Sequence, residues 1–424
     1  MLSSLSATDI IIYGFMFISL YFQVFLVITF LNRRKALHAE HAVISAHLIT
    51  PFNAATTPSV AIFVPCFNEE KTLSGTIDSL LALDYPKDKL SITIVDDGSS
   101  DNTWSIAQSF ATHPQINAFT KENGGKHTAL NFALAHTTAE IVGCLDADSY
   151  VGKDTLRKLI RYFDDSETMA VTPALKIHNP SSMMQRIQSI EYKIGVFLKK
   201  LYEQLDAIHV TPGPFSLFRR RVFDELGVYR KAHNTEDMEM AMRMQSHNYK
   251  IRNCATAWVY TCGPKTLKKL YVQRVRWTYG FIKNTIDYRH LVLNPKYGNI
   301  GMITIPTACA GLLGIMALLA IGFTNWIRLG FEKYELWSTV GINPEWPRLF
   351  HNLFYVRTSI LTFVSIILLA LTVTLILTAK KYVEGSAKPD IEFFLYIIVY
   401  PIIAPLWLMK SVYNAALSKK TSWR

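Results

Sequence analysis

The chain has 424 residues, half of them hydrophobic, and a formal net charge of +11. That is too long for one ordinary domain and too apolar for a wholly soluble protein. The basic excess does not point to nucleic acid, because much of it lies beside apolar stretches, where it would orient the chain in a bilayer and meet anionic lipid.

The first predicted element is the apolar run Ile10 to Leu31, about the 20 residues that a membrane-spanning helix needs. It lacks a basic n-region, its apolar run is too long for a signal peptide, and Arg33, Arg34 and Lys35 follow it, so it reads as a retained anchor. The positive-inside rule puts that cluster, and the polar middle of the chain, in the cytoplasm. Leu37 to Thr57 reads as a polar linker without recognisable chemistry.

After the linker, Ser59 to Val64 is β-branched and apolar, and Pro65-Cys-Phe-Asn-Glu-Glu70 should break this strand and start a helix to about Leu83. Asn68 would cap that helix, with Glu69 and Glu70 in its first turn. Leu90 to Asp97 is a second strand ending in acid, and Gly98 to Asn102 the turn that follows. A third strand, Ile116 to Phe119, leads to Lys121-Glu-Asn-Gly-Gly-Lys126, where the glycines let backbone approach a ligand and Lys126 offers a cation to phosphate. A helix over Thr128 to His136 then feeds the strand Ile141-Val-Gly-Cys-Leu-Asp-Ala-Asp148. The βαβαβαβ order predicts a doubly wound α/β sheet with its acids at one edge. Asp146 and Asp148, at i and i+2, would project the same way and could hold Mg²⁺ or Mn²⁺. The alternative is that Asp148 caps a helix beginning near Asp154.

Met169 to Lys176 reads as a further strand, Ser182 to Asp206 as a long amphipathic helix, and Thr211-Pro-Gly-Pro-Phe-Ser-Leu-Phe-Arg219 as a rigid turn with a short strand. Thr235-Glu-Asp-Met-Glu-Met240 opens a helix to about Ser246 with three acids in its first turn, which dipole compensation alone could explain. Ile251 to Tyr260 is another strand, and Lys265 to Asn284 a basic amphipathic helix suited to a membrane surface, carrying Gln273, Arg274, Arg276 and Trp277. Three more apolar runs follow: Met302 to Phe323, Ser359 to Thr378 and Ile391 to Met409. The last contains Glu392, Pro401 and Pro405 and is expected to be broken, tilted or re-entrant. The roughly 30 residues after Phe323, with Trp326, Trp337, Pro344, Trp346 and Pro347, read as an interfacial loop. The five cysteines form no C-x-x-C pair, which fits a reduced cytoplasmic domain better than a disulfide framework or a zinc site.

Taken in order, Pro65-x-x-Asn-Glu69, Asp96-Asp97-Gly-Ser99, Gly-Gly-Lys126, Asp146-Ala-Asp148, Thr235-Glu-Asp237 and Gln273-Arg-Val-Arg-Trp277 resemble the motif series of membrane-embedded family 2 glycosyltransferases, the poly-N-acetylglucosamine, chitin and hyaluronan synthase type. The resemblance covers about Pro58 to His290. It implies a GT-A domain at residues 58–290 between an anchor at residues 1–35 and transmembrane helices at residues 300–424. It also implies inverting transfer from a UDP-sugar, with UDP-N-acetylglucosamine expected, to a growing polysaccharide at the inner face of the cell membrane. By the same resemblance Glu69 and Asp97 would hold the uridine, Lys126 the uracil and diphosphate, and Asp146 would lie near the diphosphate. Asp148 would bind the metal ion, Asp237 would be the general base, Gln273 and Arg276 would approach the phosphates, and Trp277 would stack on the acceptor sugar. Cellulose synthases carry a Phe-Phe-Cys-Gly type sequence where this chain has Thr211 to Arg219, which argues against a β-1,4-glucan product. With so few spans, a homo-oligomer or a membrane partner is expected. Two rival readings are a single-transfer enzyme acting on a polyprenyl phosphate or glycolipid, which the Gln273 to Trp277 motif opposes, and a silent membrane scaffold. Asp97, Asp148 and Asp237 together oppose the second.

Overall fold

A computed structural model describes residues 6–47, 57–341 and 359–418. Eight strands form one sheet: β1 Val60–Cys66, β2 Leu90–Asp96, β3 Ile116–Thr120, β4 Ile141–Cys144, β5 Ser149–Val151, β6 Thr168–Ile177, β7 Leu217–Arg219 and β8 Lys250–Thr261. The helices are α1 Ala7–His47, α2 Leu73–Leu81, α3 Thr103–Phe110, α4 Lys126–Ala135, α5 Thr155–Ile160, α6 Met183–Glu203, α7 Arg220–Leu226, α8 Glu236–Ser246, α9 Leu267–Asp287, α10 Ile305–Val340, α11 Ile360–Glu384 and α12 Ile391–Ala416.

The strand order is β3-β2-β1-β4-β7-β6-β8-β5. The first four are mutually parallel, as the expected doubly wound half requires. β7 then enters antiparallel between β4 and β6, so the whole sheet is mixed. Gly143 permits that entry, because a Cβ there would stand 2.5 Å from the Leu217 side chain and 2.9 Å from the Ser216 carbonyl. Alternation along β1 serves both faces. Ile62 and Val64 pack with Leu73, Ile77 and Leu80 of α2, whereas Ala61 and Phe63 pack with Ala129 and Leu130 of α4 and Met240 of α8.

Several local expectations are corrected. α2 begins at Leu73, not near Asn68; Asn68 sits instead in a left-handed turn at φ 56° and accepts from the Ser100 amide at 2.9 Å. β4 stops at Cys144, so Asp146 and Asp148 lie just past its carboxyl end. Asp148 does not cap α5, since β5 intervenes and Asp154 occupies the N-cap position. α1 continues to His47, into the expected linker, whose residues 48–56 lie outside the described residues. α10 runs on to Val340 and carries Trp326 and Trp337, helped by an Arg328–Glu332 ion pair at 2.9 Å one turn apart. Pro344, Trp346 and Pro347 lie outside the described residues.

Among the described residues, four helices are long and apolar enough to cross a membrane: Ala7–Leu37, Ile300–Val340, Ile360–Glu384 and Ile391–Ala416. The last is one unbroken helix that passes through Pro401 and Pro405, which corrects the expectation of a break. Its Ile403 and Trp407 pack with Met184 and Ile187 of α6 and Leu270 and Val275 of α9. The chain divides into two compact units. One comprises the start of α1, α10 from Pro306, and α11 to Ile376; the other comprises Phe30–Ile305 and the chain from Leu377, hence the whole sheet and α12. Within the first, Gly314 leaves room for Phe15, 2.8 Å from where a Cβ would stand, and Thr372 donates to Gln23 at 3.3 Å. Within the second, Lys193 of α6 pairs with Glu384 at 2.7 Å and Glu392 at 2.9 Å, fixing the start of α12.

Candidate active site

The parallel strands end at one edge, and the loops leaving them carry the acids. Asp97, at the end of β2, is buried, yet its carboxylate is fully met: the Gly124 and Gly125 amides donate to it at 3.1 and 2.8 Å and the Lys121 ammonium lies at 2.6 Å. Gly125 needs its freedom, since its φ is 91°. Lys121, which the sequence reading left without a role, is therefore the cation beside Asp97. Glu69 lies across the same edge: its amide donates to Thr103 at 2.8 Å and its carboxylate accepts from Thr72 at 2.9 Å.

Lys126, at the first turn of α4, is turned the other way. Its ammonium lies 2.6 Å from Asp146 and 3.4 Å from Glu236, and Gly213 is close enough that a Cβ there would meet it at 2.7 Å. Glu236 is a second residue the sequence reading missed; only the folded chain brings it to Lys126. A narrow pocket joins Lys126, Cys144, Thr211, Gly213, Tyr229, Glu236 and Asp237. A larger open cleft at the opposite, amino edge of the strands, around Lys87, His113 and Gln115, gathers no comparable acids.

Asp237 sits in the first turn of α8, its Oδ1 accepting from the Met238 amide at 2.9 Å and its carbonyl from the Thr211 hydroxyl at 2.8 Å. Burial first, and then the Glu236 charge, push its carboxyl up to about 6, against the opposing pull of Lys126. Lys199 of α6 is within electrostatic reach of Asp237, and burial lowers its ammonium to about 8. Burial and the charges of Asp146 and Glu69 push Asp148 up to about 7. Lys126 neutralises Asp146 and is shared with Glu236, so the edge carries more anion than cation. The donor set fits a hard divalent ion. Among the described residues no three His, Cys, Asp or Glu side chains are grouped to hold a metal by themselves, so water and ligand oxygens would complete the shell.

α9 reaches this edge because of Gly280. Any Cβ there would stand 2.3 Å from the Thr235 hydroxyl, and the Asn284 side chain donates to that hydroxyl at 2.9 Å. The helix bearing Gln273, Arg276 and Trp277 is thus locked against the loop that opens α8. Among the described residues, Gln273 Oε1 is buried without a hydrogen-bond partner. Tyr192 of α6 is within electrostatic reach of Arg274 and of Asp146 and Asp148, and burial pushes its phenol up to about 12. The arrangement offers an anion-rich edge for a cation and a polyanion, a carboxylate with its pKa near neutrality, and a flanking aromatic helix.

Comparison with known proteins gives these likenesses. Residues 61–227 match the family described as Glycosyl transferase family 2. A poly-beta-1,6-N-acetyl-D-glucosamine synthase of Staphylococcus epidermidis is 31% identical over 268 residues, covering 62% of this chain and 63% of that protein. One of the same name from Staphylococcus aureus is 33% identical over 232 residues, covering 54% and 56%. The matched chain therefore spans less than two thirds of the length of these curated relatives. In fold, the chain superposes on a mannosyltransferase of Pyrobaculum calidifontis, solved with GDP-Man and Mn2+, with a TM-score of 0.57 at 19% identity over 94% of this chain and 99% of that one.

Proposed function

We propose that this chain, whose residues 61–227 match Glycosyl transferase family 2 and whose described residues hold four candidate membrane helices, is a glycosyltransferase that moves N-acetylglucosamine from UDP-N-acetylglucosamine to the end of a growing polysaccharide. The observation that carries the reading is the convergence of Asp97, Asp148 and Asp237 on one sheet edge beside the locked α9, in a chain similar to poly-beta-1,6-N-acetyl-D-glucosamine synthases. The membrane side is part of the proposal: Arg33, Arg34, Lys35, Lys380, Lys381 and Lys388 support a catalytic region, residues 58–290, in the cytoplasm. The four candidate spans among the described residues are few to enclose a hydrophilic passage, which supports a homo-oligomer or a membrane partner.

Asp97 and Glu69 would hold the uridine, with the Gly124 and Gly125 amides and Lys121 fixing the Asp97 carboxylate. Asp148, with Asp146 nearby, would hold Mg²⁺ or Mn²⁺, which when bound offsets the charge of the departing diphosphate. Gln273 and Arg276 would approach the phosphates. Lys126, held between Asp146 and Glu236, would present its charge on the diphosphate side. Asp237 would take the proton from the acceptor hydroxyl as its oxygen bonds to the anomeric carbon. The bond from that carbon to the diphosphate oxygen breaks with its electrons going to UDP, inverting the anomeric centre. Trp277 would stack on the acceptor.

Membranes incubated with a panel of labelled UDP-sugars are expected to build high-molecular-weight product from UDP-N-acetylglucosamine alone; a single addition to lipid would replace polymer synthesis with the rival reading. Trp277→Ala is expected to lose polymer while still binding the UDP-sugar, a stacking loss of about 1–3 kcal/mol by analogy with bases on aromatics. Product of unchanged length and rate would overturn the acceptor assignment. The pH profile gives a third result. A base must be ionised, and the Asp237 carboxyl stands at about 6 with Glu236, Asp146, Lys126 and Lys199 as its charged neighbours. Activity should therefore fall as pH drops through about 6; a rate unchanged well below that point would remove Asp237 from the role.

A further inference from the structure

Arg274 lies one turn before Trp277 on α9, and helix residues three apart are neighbours. Its guanidinium stands 4.3 Å from the Trp277 ring centroid. It is buried, and it donates to Glu191 Oε2 of α6 at 2.7 Å, while the Tyr400 hydroxyl of α12 donates to Glu191 Oε1 at 3.1 Å. We infer that Arg274 is the positioning residue for Trp277: held by Glu191, it caps one face of the indole and leaves the other as the platform for the acceptor sugar.

The planar guanidinium suits both tasks, since it stacks on an aromatic while its N–H fork meets a carboxylate. Removing one partner of such a largely buried ion pair is costly, because the other charge is left buried and unpaired. Trp277 needs such a clamp, because an indole free to change rotamer would present its platform only part of the time. Through Tyr400, the same carboxylate ties the acceptor platform to the last candidate membrane helix.

This inference rests on the acceptor reading of Trp277, and the test separates the two. The assay measures primer KM for a short N-acetylglucosamine oligosaccharide, alongside UDP-sugar KM, in the full-length protein. Arg274→Met is expected to raise primer KM about 3- to 30-fold, the weight of a partly to fully desolvated cation–π contact, with UDP-sugar KM unmoved. Arg274→Lys keeps the charge and should restore only part of the loss. Glu191→Gln, a milder change that serves should Arg274→Met fail to fold, is expected to act in the same direction. In a Trp277→Ala background, Arg274→Met should add nothing further. If Trp277→Ala itself leaves primer KM unchanged, the acceptor reading falls and takes this inference with it. If Trp277→Ala raises primer KM but neither Arg274→Met nor Glu191→Gln does, or the effects add in the double variant, the Arg274 assignment alone is overturned.

Discussion

Asp237→Asn is expected to lower transfer by roughly 10²- to 10⁴-fold, the range for loss of general-base help, while UDP-sugar binding survives. The substitution is nearly isosteric and keeps an Oδ1 to accept the Met238 amide, so the first turn of α8 is preserved. It also removes a charge that burial and Glu236 disfavour, as the rise of this carboxyl to about 6 indicates. A group whose pKa is raised by folding weakens the fold when ionised, so above that pH the variant should melt no lower than the parent. Loss of nucleotide binding with an intact fold would move Asp237 to the donor side. A lowered melting temperature would mean that its carboxylate supports the fold.

Asp148→Ala should likewise abolish turnover, with a loss of at least about 10²- to 10³-fold, typical when one group offsetting developing negative charge is removed. The protein should still fold, because among the described residues the hydrogen bond recorded for this side chain is a long one, from Ser149 at 3.3 Å. Excess EDTA should have the same effect on the parent, reversed by Mg²⁺ or Mn²⁺. Mn²⁺ bound in the presence of UDP, followed by its magnetic resonance signal, should weaken in the variant. Full turnover in excess EDTA would remove the metal role.

Much of this was legible in the chain because it is local. The β-branched runs, the turns after them and the acids at their ends follow from patterns of two to ten residues, so β1 to β4 and the edge bearing Asp97, Asp146 and Asp148 could be read directly. The same holds for the membrane spans, where length and apolarity suffice. The motif acids were identifiable as types, but not the partners that set their charge. Lys121 is 24 residues from Asp97, and Lys126 pairs with a residue on α8 far along the chain.

Only the tertiary structure decided those pairings, along with the antiparallel entry of β7 beside Gly143, the approach of α9 to Thr235 through Gly280, and the Arg274–Glu191 clamp across 83 residues. The proline-bearing α12 shows the physical reason. Pro401 and Pro405 lie within one unbroken helix, and the residues packed against its Ile403 and Trp407, namely Met184, Ile187, Leu270 and Val275, belong to other helices. A sequence pattern reports which side chains want burial or a counter-charge; which of them meet is settled by packing, where one missing Cβ moves a helix by the width of an atom.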